Sequence, residues 1–294
     1  MKLNKSKISL NLPFLLLLQL GFAFTLAACR GADASRASKT TIPAGQVDKD
    51  WAFATTPVWA DEFEYTGKPD SAKWGYDIGG SGWGNNELQY YTDHIDNARV
   101  GEGKLTITAR QESLGGREYT SARIVTKNKG DWTYGRFEVK AKLPTGKGTW
   151  PAIWMLSTDN IYGGWPKSGE IDIMEHVGYD QDRVHVTVHT EAYNHGIGTQ
   201  RGSNKVVANA STTFHLYRID WTPDAIRGFI DDQQMFEFVN EGKGPAEWPF
   251  DKRFHLLLNI AYGGNWGGAQ GIDTNIFPQS MEVDYVRVYK LIQK

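Results

Sequence analysis

Apolar and polar residues alternate along most of the chain beyond residue 50, and a period of two is typical of half-buried β-strands. In the stretch 134–143, for example, Phe137, Val139, Ala141 and Leu143 fall on one face. A nearly continuous apolar run at 254–260 predicts a strand that is covered on both sides. The predicted strands are 104–110, 121–126, 134–143, 150–156, 170–175, 183–190, 214–222, 226–230, 254–260 and 281–291.

This succession of strands and turns, with no sustained helical period beyond the N-terminal segment, predicts an all-β fold. We expect an antiparallel β-sandwich in which one sheet curves and leaves an open concave cleft. Glycine-rich loops at 79–91, 162–166 and 262–268 would lie at the rim of that cleft. The first of them either meets a ligand through Trp83, Asn85 and Asn86 or is simply structured by Asx turns.

The sequence EIDIME at residues 170–175 places three carboxylates among large apolar residues. In a helix, Glu170, Asp172 and Glu175 would scatter around the circumference, because successive residues turn by about 100°. In a strand, Glu170 and Asp172 share one face, whereas Glu175 has the wrong parity. One bulged residue near Ile173 or Met174 corrects the parity and brings all three acids to one face. Carboxylates are rarely buried without a partner or a role, so this strand is the candidate active site.

Composition adds a class of ligand. The chain has 11 Trp, 13 Tyr and 13 Phe beside 32 Gly. Flat rings fill sandwich cores, and they also bind the apolar faces of sugars. We assign most Tyr and Phe residues to the core and the Trp-bearing glycine loops to a ligand.

The first 29 residues are typical of an export signal, with Lys2, Lys5 and Lys7 before an apolar run that is too short to span a membrane. The run ends in LAAC, which resembles a bacterial lipobox, so Cys29 is expected to become a lipidated N-terminus. The alternative is an ordinary cleaved signal with an incidental cysteine. Residues 30–50 predict a flexible tether, and residues 51–294 one catalytic domain. The predicted location is the periplasmic or cell-surface side of a bacterial membrane.

Charge and cysteine content exclude several classes of function. Outside the leader there are 29 Lys and Arg residues and 34 Asp and Glu residues. The net charge is therefore negative, which argues against a nucleic-acid partner. The single cysteine lies in the leader, so the domain has no disulfide and no thiol chemistry. Nothing in the sequence indicates an oligomer, and we expect a monomer that meets the membrane only through Cys29.

Neighbouring carboxylates suit glycoside hydrolysis, in which one acid protonates the leaving oxygen while the other acts as nucleophile or base. The charge of Asp172 would help to keep one glutamate protonated near neutral pH. Retention needs a carboxyl separation of about 5–5.5 Å and inversion about 6.5–9.5 Å, so sequence alone leaves the stereochemistry open. The acids could instead be structural, or ligate a cation together with His185 and His189. The spacing lacks both a calcium-loop pattern and an HExxH helix.

Several motifs together resemble one known family. GEIDIME at 169–175 resembles the catalytic signature of glycoside hydrolase family 16, in its bulged laminarinase-type form. GWGNNELQYYT at 82–92, WPAIWML at 150–156 and GGNWGG at 263–268 also resemble that family. The resemblance implies a concanavalin A-like β-jelly-roll and a retaining double displacement. It also implies that Glu170 is the nucleophile, Glu175 the general acid/base and Asp172 their assistant, with no cofactor for catalysis.

The resemblance further implies endo-hydrolysis of β-1,3-glucosidic bonds in laminarin-type β-glucans. The alternatives are a mixed-linkage 1,3-1,4-β-glucanase and a sandwich protein that binds glucan without cutting it. Trp154 has core packing as its alternative role, and His189 either contacts the acids or is structural. The implied substrate-binding residues are Asn85, Asn86, Arg123, Trp150, Trp154, His189 and Trp266.

The family resemblance also implies a structural calcium on the convex face, held by main-chain oxygens of Glu62 and Gly103 and by Asp284. The alternative is an ion-free fold in which Asp284 is an exposed strand residue. Two departures from the family pattern, Val186 and Tyr262, are bulky where smaller residues are expected. We expect either of them to narrow a subsite and so alter cleavage mode.

Overall fold

The computed structural model describes residues 50–294, so the predicted leader with Cys29 and the tether up to residue 49 lie outside the described residues. Within residues 50–294, one 3₁₀ turn (His195–Ile197) is the only helical element, and no helix has the length and apolar character needed to cross a bilayer. The strands are β1 (Trp51–Phe53), β2 (Trp59–Asp61), β3 (Gly75–Tyr76), β4 (Gln89–Tyr91), β5 (Ala98–Gly101), β6 (Lys104–Leu114), β7 (Arg117–Ser121), β8 (Arg123–Val125), β9 (Asp131–Trp132), β10 (Gly135–Lys142), β11 (Thr149–Ser157), β12 (Glu170–His176), β13 (Arg183–His189), β14 (Arg201–Val206), β15 (His215–Trp221), β16 (Ala225–Ile230), β17 (Gln233–Val239), β18 (Phe254–Tyr262), β19 (Gln279–Tyr289) and β20 (Leu291–Gln293).

Two large sheets stack to form the sandwich. The cleft sheet has the order β14-β13-β12-β11-β18-β8-β3, with β9 also paired to β18. The outer sheet has the order β17-β16-β15-β10-β19-β6-β7-β4, with β2 and β5 paired to β19 and β6. Pairing is antiparallel except between β4 and β7, and β1 and β20 form a separate two-stranded ribbon. The predicted all-β, antiparallel jelly-roll sandwich is confirmed.

The core lies between the two sheets and follows the alternation in the sequence. In β10, Phe137, Val139 and Ala141 are fully buried, while the residues between them face outward. Every residue of β18 is buried, as its continuous apolar run predicts. Leu256 and Leu258 of β18 belong to the core, whereas His255, Asn259 and Ala261 of the same strand line the cleft.

The predicted strand 121–126 is confirmed only for Arg123–Val125, because the chain changes sheet just before Arg123. Ser121 ends β7 in the outer sheet, and Arg123 begins β8 in the cleft sheet. Ala122 between them is fully buried. Local alternation cannot reveal such a crossing, because both halves keep the pattern of a strand.

Val186 and Tyr262 do not narrow the cleft, contrary to the expectation from sequence. Val186 is fully buried and faces Gly228 of the outer sheet, where a Cβ would approach Val186 Cγ1 to 2.7 Å. Tyr262 is also fully buried, and its hydroxyl donates to the carbonyl of Asp273 at 2.9 Å. The absence of a side chain at Gly228 thus provides the space that the bulky Val186 occupies.

Candidate active site

The acidic strand β12 contains the bulge that is needed to bring Glu175 to the same face as Glu170 and Asp172. Asp172 pairs with Thr187 of β13 and Glu175 with His185, so two residues of β12 oppose one of β13. The ladder to β11 shifts at the same place. Ile173 and Met174 both point into the core and are fully buried. The bulge is therefore confirmed, and it turns Glu175 to the face that carries the other two acids.

The turn before β12 brings Glu170 close to an indole. Gly169 has φ +85°, and a Cβ there would approach Pro249 and Phe250 to within 3 Å, so glycine is needed at this close approach. The Trp165 indole Nε1 donates to Glu170 Oε2 at 3.0 Å. The Trp165 side chain is 45% exposed, so this donor lies at the open edge of the site.

Asp172 and His189 form the most enclosed part of the acidic cluster. The Asp172 side chain is 2% exposed, and its Oδ2 atom has no hydrogen-bond partner among the described residues. His189 Nε2 lies 3.4 Å from Asp172 Oδ2 and 3.7 Å from Glu170 Oε1. His189 thus faces both acids from β13, which pairs Glu170 directly with His189.

Glu175 is held by a second indole. Trp150 Nε1, from β11, donates to Glu175 Oε1 at 3.0 Å. The Trp150 ring meets Trp266 edge-on at 5.5 Å, and Trp266 in turn meets the His185 ring at 4.9 Å. Each glutamate therefore accepts a hydrogen bond from one tryptophan, Trp165 from a loop and Trp150 from a strand.

The pKa values of all three acids are raised above their usual range. Burial is the main cause for Glu170, and the neighbouring charge of Asp172 adds to it. Burial likewise raises the pKa of Asp172, with the charge of Glu175 adding to it, and burial raises the pKa of Glu175 against the lowering effect of the Trp150 hydrogen bond. Such a cluster binds protons at higher pH than isolated carboxyl groups do, and its members titrate together.

An open cleft with a volume of about 500 Å³ extends from the acids across β11, β18 and β8. Trp154 lies on its wall, so the alternative of core packing does not apply to this residue. Its indole Nε1 donates to Asn259 Oδ1 at 2.7 Å. Arg123 lies over the rings of Trp154 and Trp83, at 4.7 and 4.8 Å, and pairs with Asp77 at 2.9 Å.

Two glycine loops are linked at the rim of the cleft. Asn85 lines the cleft, whereas Asn86 donates to Asn265 Oδ1 of the loop 262–268 at 2.8 Å. The main-chain nitrogen of Asn265 also donates to the Asn85 carbonyl at 2.7 Å. These contacts fix the loop that carries Trp266 relative to the loop that carries Asn85.

Comparison with known proteins identifies the family. The model of glycosyl hydrolases family 16 matches residues 84–287. Over 244 residues, the chain is 59% identical to a β-glucanase of Rhodothermus marinus, covering 80% of this chain and 85% of that protein. The chain is a member of glycosyl hydrolase family 16.

Solved structures agree with this family-16 assignment. The X-ray structure of the laminarinase from Rhodothermus marinus is 58% identical, with a TM-score of 0.80, covering 82% of this chain and 99% of that chain. A non-specific endo-β-1,3(4)-glucanase of the family, crystallised with a glucose oligosaccharide at its active site, is 48% identical with a TM-score of 0.78. That likeness covers 81% of this chain and 96% of the other.

The structure brings most of the predicted site residues of this family-16 chain to one cleft. The acids, His189, Trp150, Trp154, Arg123 and Asn85 line it or contact one another there, and Trp266 adjoins it through Trp150. Asn86 is an exception, because its amide is bound to Asn265.

Sequence reasoning missed Trp165, Asn259 and Glu87. Asn259 interrupts an otherwise apolar strand, and a buried amide requires partners, so that signal was present. Glu87 is 6% exposed and accepts from Gln89 at 2.6 Å, and burial raises its pKa. Trp165 follows two glycines, but nothing local indicates that its indole turns back to Glu170.

The residues implied for calcium lie together on the outer sheet, away from the cleft. Glu62 follows β2 and Gly103 precedes β6, and both strands pair with the same edge of β19. Asp284 lies between those two pairings, at a register shift of β19 against β10. Its carboxylate is 2.9 Å from Lys140 Nζ, and the Glu62 carboxylate is bound by Arg287 at 2.7 Å. The set fits an oxygen-ligated cation through two main-chain oxygens and one carboxylate, provided that Lys140 releases Asp284.

Proposed function

We propose that this chain is a retaining endo-β-1,3-glucanase that cleaves laminarin-type β-glucans. The observation that carries the proposal is the bulged strand β12, whose two glutamates face one open cleft and each accept one indole N–H. The relatives named as a β-glucanase and a laminarinase support the substrate class. The aromatic and amide groups along the cleft suit a neutral sugar chain.

In the proposed mechanism, ionised Glu170 attacks the anomeric carbon while Glu175 protonates the glycosidic oxygen of the departing chain. A covalent glycosyl–enzyme intermediate forms, and Glu175 then takes a proton from water as that water attacks the same carbon and breaks its bond to Glu170. Both carboxyls end the cycle in their starting states. This sequence of steps retains the configuration of the anomeric carbon.

The raised pKa values of the three acids let the cluster retain a proton, and the assignment of roles to the two glutamates rests on the family pattern. Each glutamate accepts one indole N–H and lies near His189, and both contacts lower its pKa against burial. Asp172 is the least exposed acid, and in its neutral form it can donate to an ionised neighbour. We assign it that assisting role. Glu175 then stays protonated because the negative charge of the cluster is held on Glu170.

The remaining residues are proposed to bind the glucan. Trp150, Trp154 and Trp266 offer ring faces or edges to glucosyl units, and Asn85 and Arg123 offer N–H donors to their hydroxyls. His189 would contact the sugar beside Glu170. Asn86 takes part by holding the rim loop through Asn265, as its observed hydrogen bond suggests.

Product analysis tests the proposed reaction. Purified protein is incubated with laminarin, lichenan, barley β-glucan and agarose, and reducing ends and oligosaccharides are measured. We expect the highest rate on laminarin, early release of several chain lengths, and initial products in the β-configuration by NMR. Release of single sugars would overturn the endo mode, α-products would overturn retention, and a preference for lichenan would favour the mixed-linkage alternative. Binding of laminarin without any cleavage would favour a recognition protein.

We also propose that Glu62, Gly103 and Asp284 hold a structural calcium. Their position at one strand junction supports this assignment. A bound ion would stabilise the folded state by mass action, because the unfolded chain has no such site. Calcium should therefore raise the Tm of EDTA-treated protein, and Asp284→Ala should abolish the rise. An equal Tm with calcium and with EDTA would contradict the site.

Finally, we propose that the chain is exported and anchored to a bacterial membrane by lipid at Cys29, with residues 30–50 as a tether to a monomeric catalytic domain. The LAAC sequence and its basic and apolar flanks support this proposal. Labelling of cells with a radioactive fatty acid should mark the wild-type chain and not Cys29→Ser. Equal label in both would refute the anchor, and gel filtration of the domain tests the monomer.

A further inference from the structure

Three potential ligand atoms converge in the acidic cluster, and His189 is not strongly hydrogen-bonded to either acid of the set. They are Glu170 Oε1, Asp172 Oδ2 and His189 Nε2, and carboxylate and imidazole atoms of these three residues all lie within 4.8 Å of one another. His189 Nε2 is 3.4 Å from the Asp172 oxygen and 3.7 Å from the Glu170 oxygen. Hydrogen bonds between such groups usually measure about 2.7–3.2 Å, so these separations are too long for a strong one.

The same separations match the spacing of ligands around a metal ion. Zinc binds imidazole nitrogen at about 2.0–2.1 Å and carboxylate oxygen at about 2.0–2.2 Å, in a tetrahedron. Two ligands of such a tetrahedron lie roughly 3.3–3.6 Å apart, as its geometry requires. The observed distances from His189 to the two acids need only a small adjustment to reach that value.

The unpartnered atoms give an independent indication. Asp172 Oδ2 is buried without a hydrogen-bond partner among the described residues, on a side chain that is only 2% exposed. A buried acceptor with no donor is costly, and such an atom requires an explanation. The Trp165 indole donates its hydrogen bond to the other oxygen of Glu170, Oε2, so Oε1 is the oxygen near His189.

The chemistry of the donor set selects the class of metal. One imidazole nitrogen and two carboxylate oxygens suit zinc, copper and other transition metals, whereas calcium and magnesium prefer oxygen ligands alone. The Glu170 side chain is 14% exposed and borders the open cleft, so an ion can enter and a water molecule can complete its coordination.

We propose that Glu170, Asp172 and His189 form a binding site for a divalent transition-metal ion of the zinc type, and that this ion competes with glucan. Metal binding uses the Glu170 oxygen that would attack the sugar, and it places a positive charge where the anomeric carbon must lie. The competition with substrate rests on the proposed role of Glu170, whereas metal binding itself does not.

Calorimetric titration tests the site directly. Full-length mature protein without a histidine tag is treated with EDTA, dialysed into buffer with calcium, and titrated with ZnCl2. We expect one zinc per chain, weakened about tenfold or more by His189→Gln and by Asp172→Asn, as is usual when groups of a metal site are removed. His185→Gln is the matched control, since His185 lies on the same strand four residues away and is not part of the set.

A second readout is independent of heat and of hydrolysis. Copper(II) should quench the fluorescence of Trp165, whose indole is bonded to Glu170, and zinc should compete with that quenching. Equal zinc affinity in wild type and in folded His189→Gln and Asp172→Asn proteins would overturn the site, and so would an equal loss in His185→Gln. Circular dichroism establishes that each variant is folded.

Inhibition kinetics test the competition. Zinc should raise the apparent KM for laminarin without changing kcat. Binding of zinc at the predicted residues with no effect on KM would overturn the competition while leaving the metal site intact. If the protein did not hydrolyse laminarin at all, the function proposed above would fail, and calorimetry and fluorescence would still decide the metal site.

Discussion

Carboxylates on the outer sheet and the glutamates of β12 on the cleft sheet have different kinds of partner. On the outer sheet, acids are paired with cations: Asp220 with Arg136 at 2.7 Å and Glu282 with Lys142 at 2.7 Å. On the cleft sheet, Glu170 and Glu175 each accept an indole N–H group, and Glu170 lies near the imidazole of His189. These outer-sheet acids are therefore neutralised by full charges, whereas the two glutamates of β12 accept hydrogen bonds from neutral donors.

This difference appears in the pKa values. Partial burial would raise the pKa of Glu282, but the hydrogen bond and charge of Lys142 outweigh burial and lower it. Burial dominates at Glu170 and Glu175, and their pKa values rise. Indole donors in place of a paired Lys or Arg thus leave the pKa values of Glu170 and Glu175 raised, which suits proton exchange in catalysis.

The largest expected effect is on activity. Glu170→Gln keeps the shape of the side chain and removes the proposed nucleophile, so laminarin hydrolysis should fall by about 10⁴-fold or more. Reducing-end release measures this loss. Asp220→Asn, on the outer sheet, is the matched control and should retain activity. Comparable losses in both variants would mean that the two faces do not differ in function.

A smaller effect should separate the two indoles. Trp165→Phe and Trp150→Phe each remove one N–H donor, so the pKa of the bound glutamate should rise by about one unit. Glu170 must be ionised, so Trp165→Phe should move the acidic limb of the kcat/KM profile to higher pH. Glu175 must be protonated, so Trp150→Phe should move the alkaline limb to higher pH. Shifts of the same limb in both variants would contradict the assigned roles.

Stability should respond with opposite signs on the two faces. Because the pKa of Asp172 is raised, the folded state binds more protons than the unfolded state, and wild-type stability falls as pH rises above about 4. Asp172→Asn should therefore be more stable than wild type at pH 7, by about 1–2 kcal/mol. The gain should shrink toward zero near pH 3. Urea unfolding followed by fluorescence measures it, and a destabilised variant at pH 7 would disprove the sign.

The smallest effect is expected on the outer sheet. The pKa of Glu282 is lowered, so its contribution to stability is present above the unfolded value and is lost as pH falls through the folded one. Glu282→Gln should lower the free energy of unfolding by roughly 0.5 kcal/mol at pH 7, as for exposed ion pairs. The difference from wild type should vanish below about pH 4. A stabilised variant at pH 7 would remove the contrast with Asp172.

Much of the fold and of the acid cluster was predictable, because both depend on local period. Strand β10 appears as alternation, and β18 as a continuous apolar run. The mismatch in parity at Glu175 predicted the bulge, since only an extra residue could return it to the face of Glu170. Val186 shows the limit of this reasoning, because its size mattered only for Gly228 across the core.

The sequence by itself determined that Glu170 and Asp172 share one face of a strand, because side chains alternate along an extended backbone, and that Glu175 needs a bulge to join them. The tertiary structure alone decided what surrounds them. Trp150 comes from β11 and His189 from β13, while Trp165 lies in a loop. Their contacts with the acids depend on strand order, register and loop path, which no local pattern encodes. Those contacts set the charge of each acid, because burial and hydrogen bonding act through space rather than along the chain.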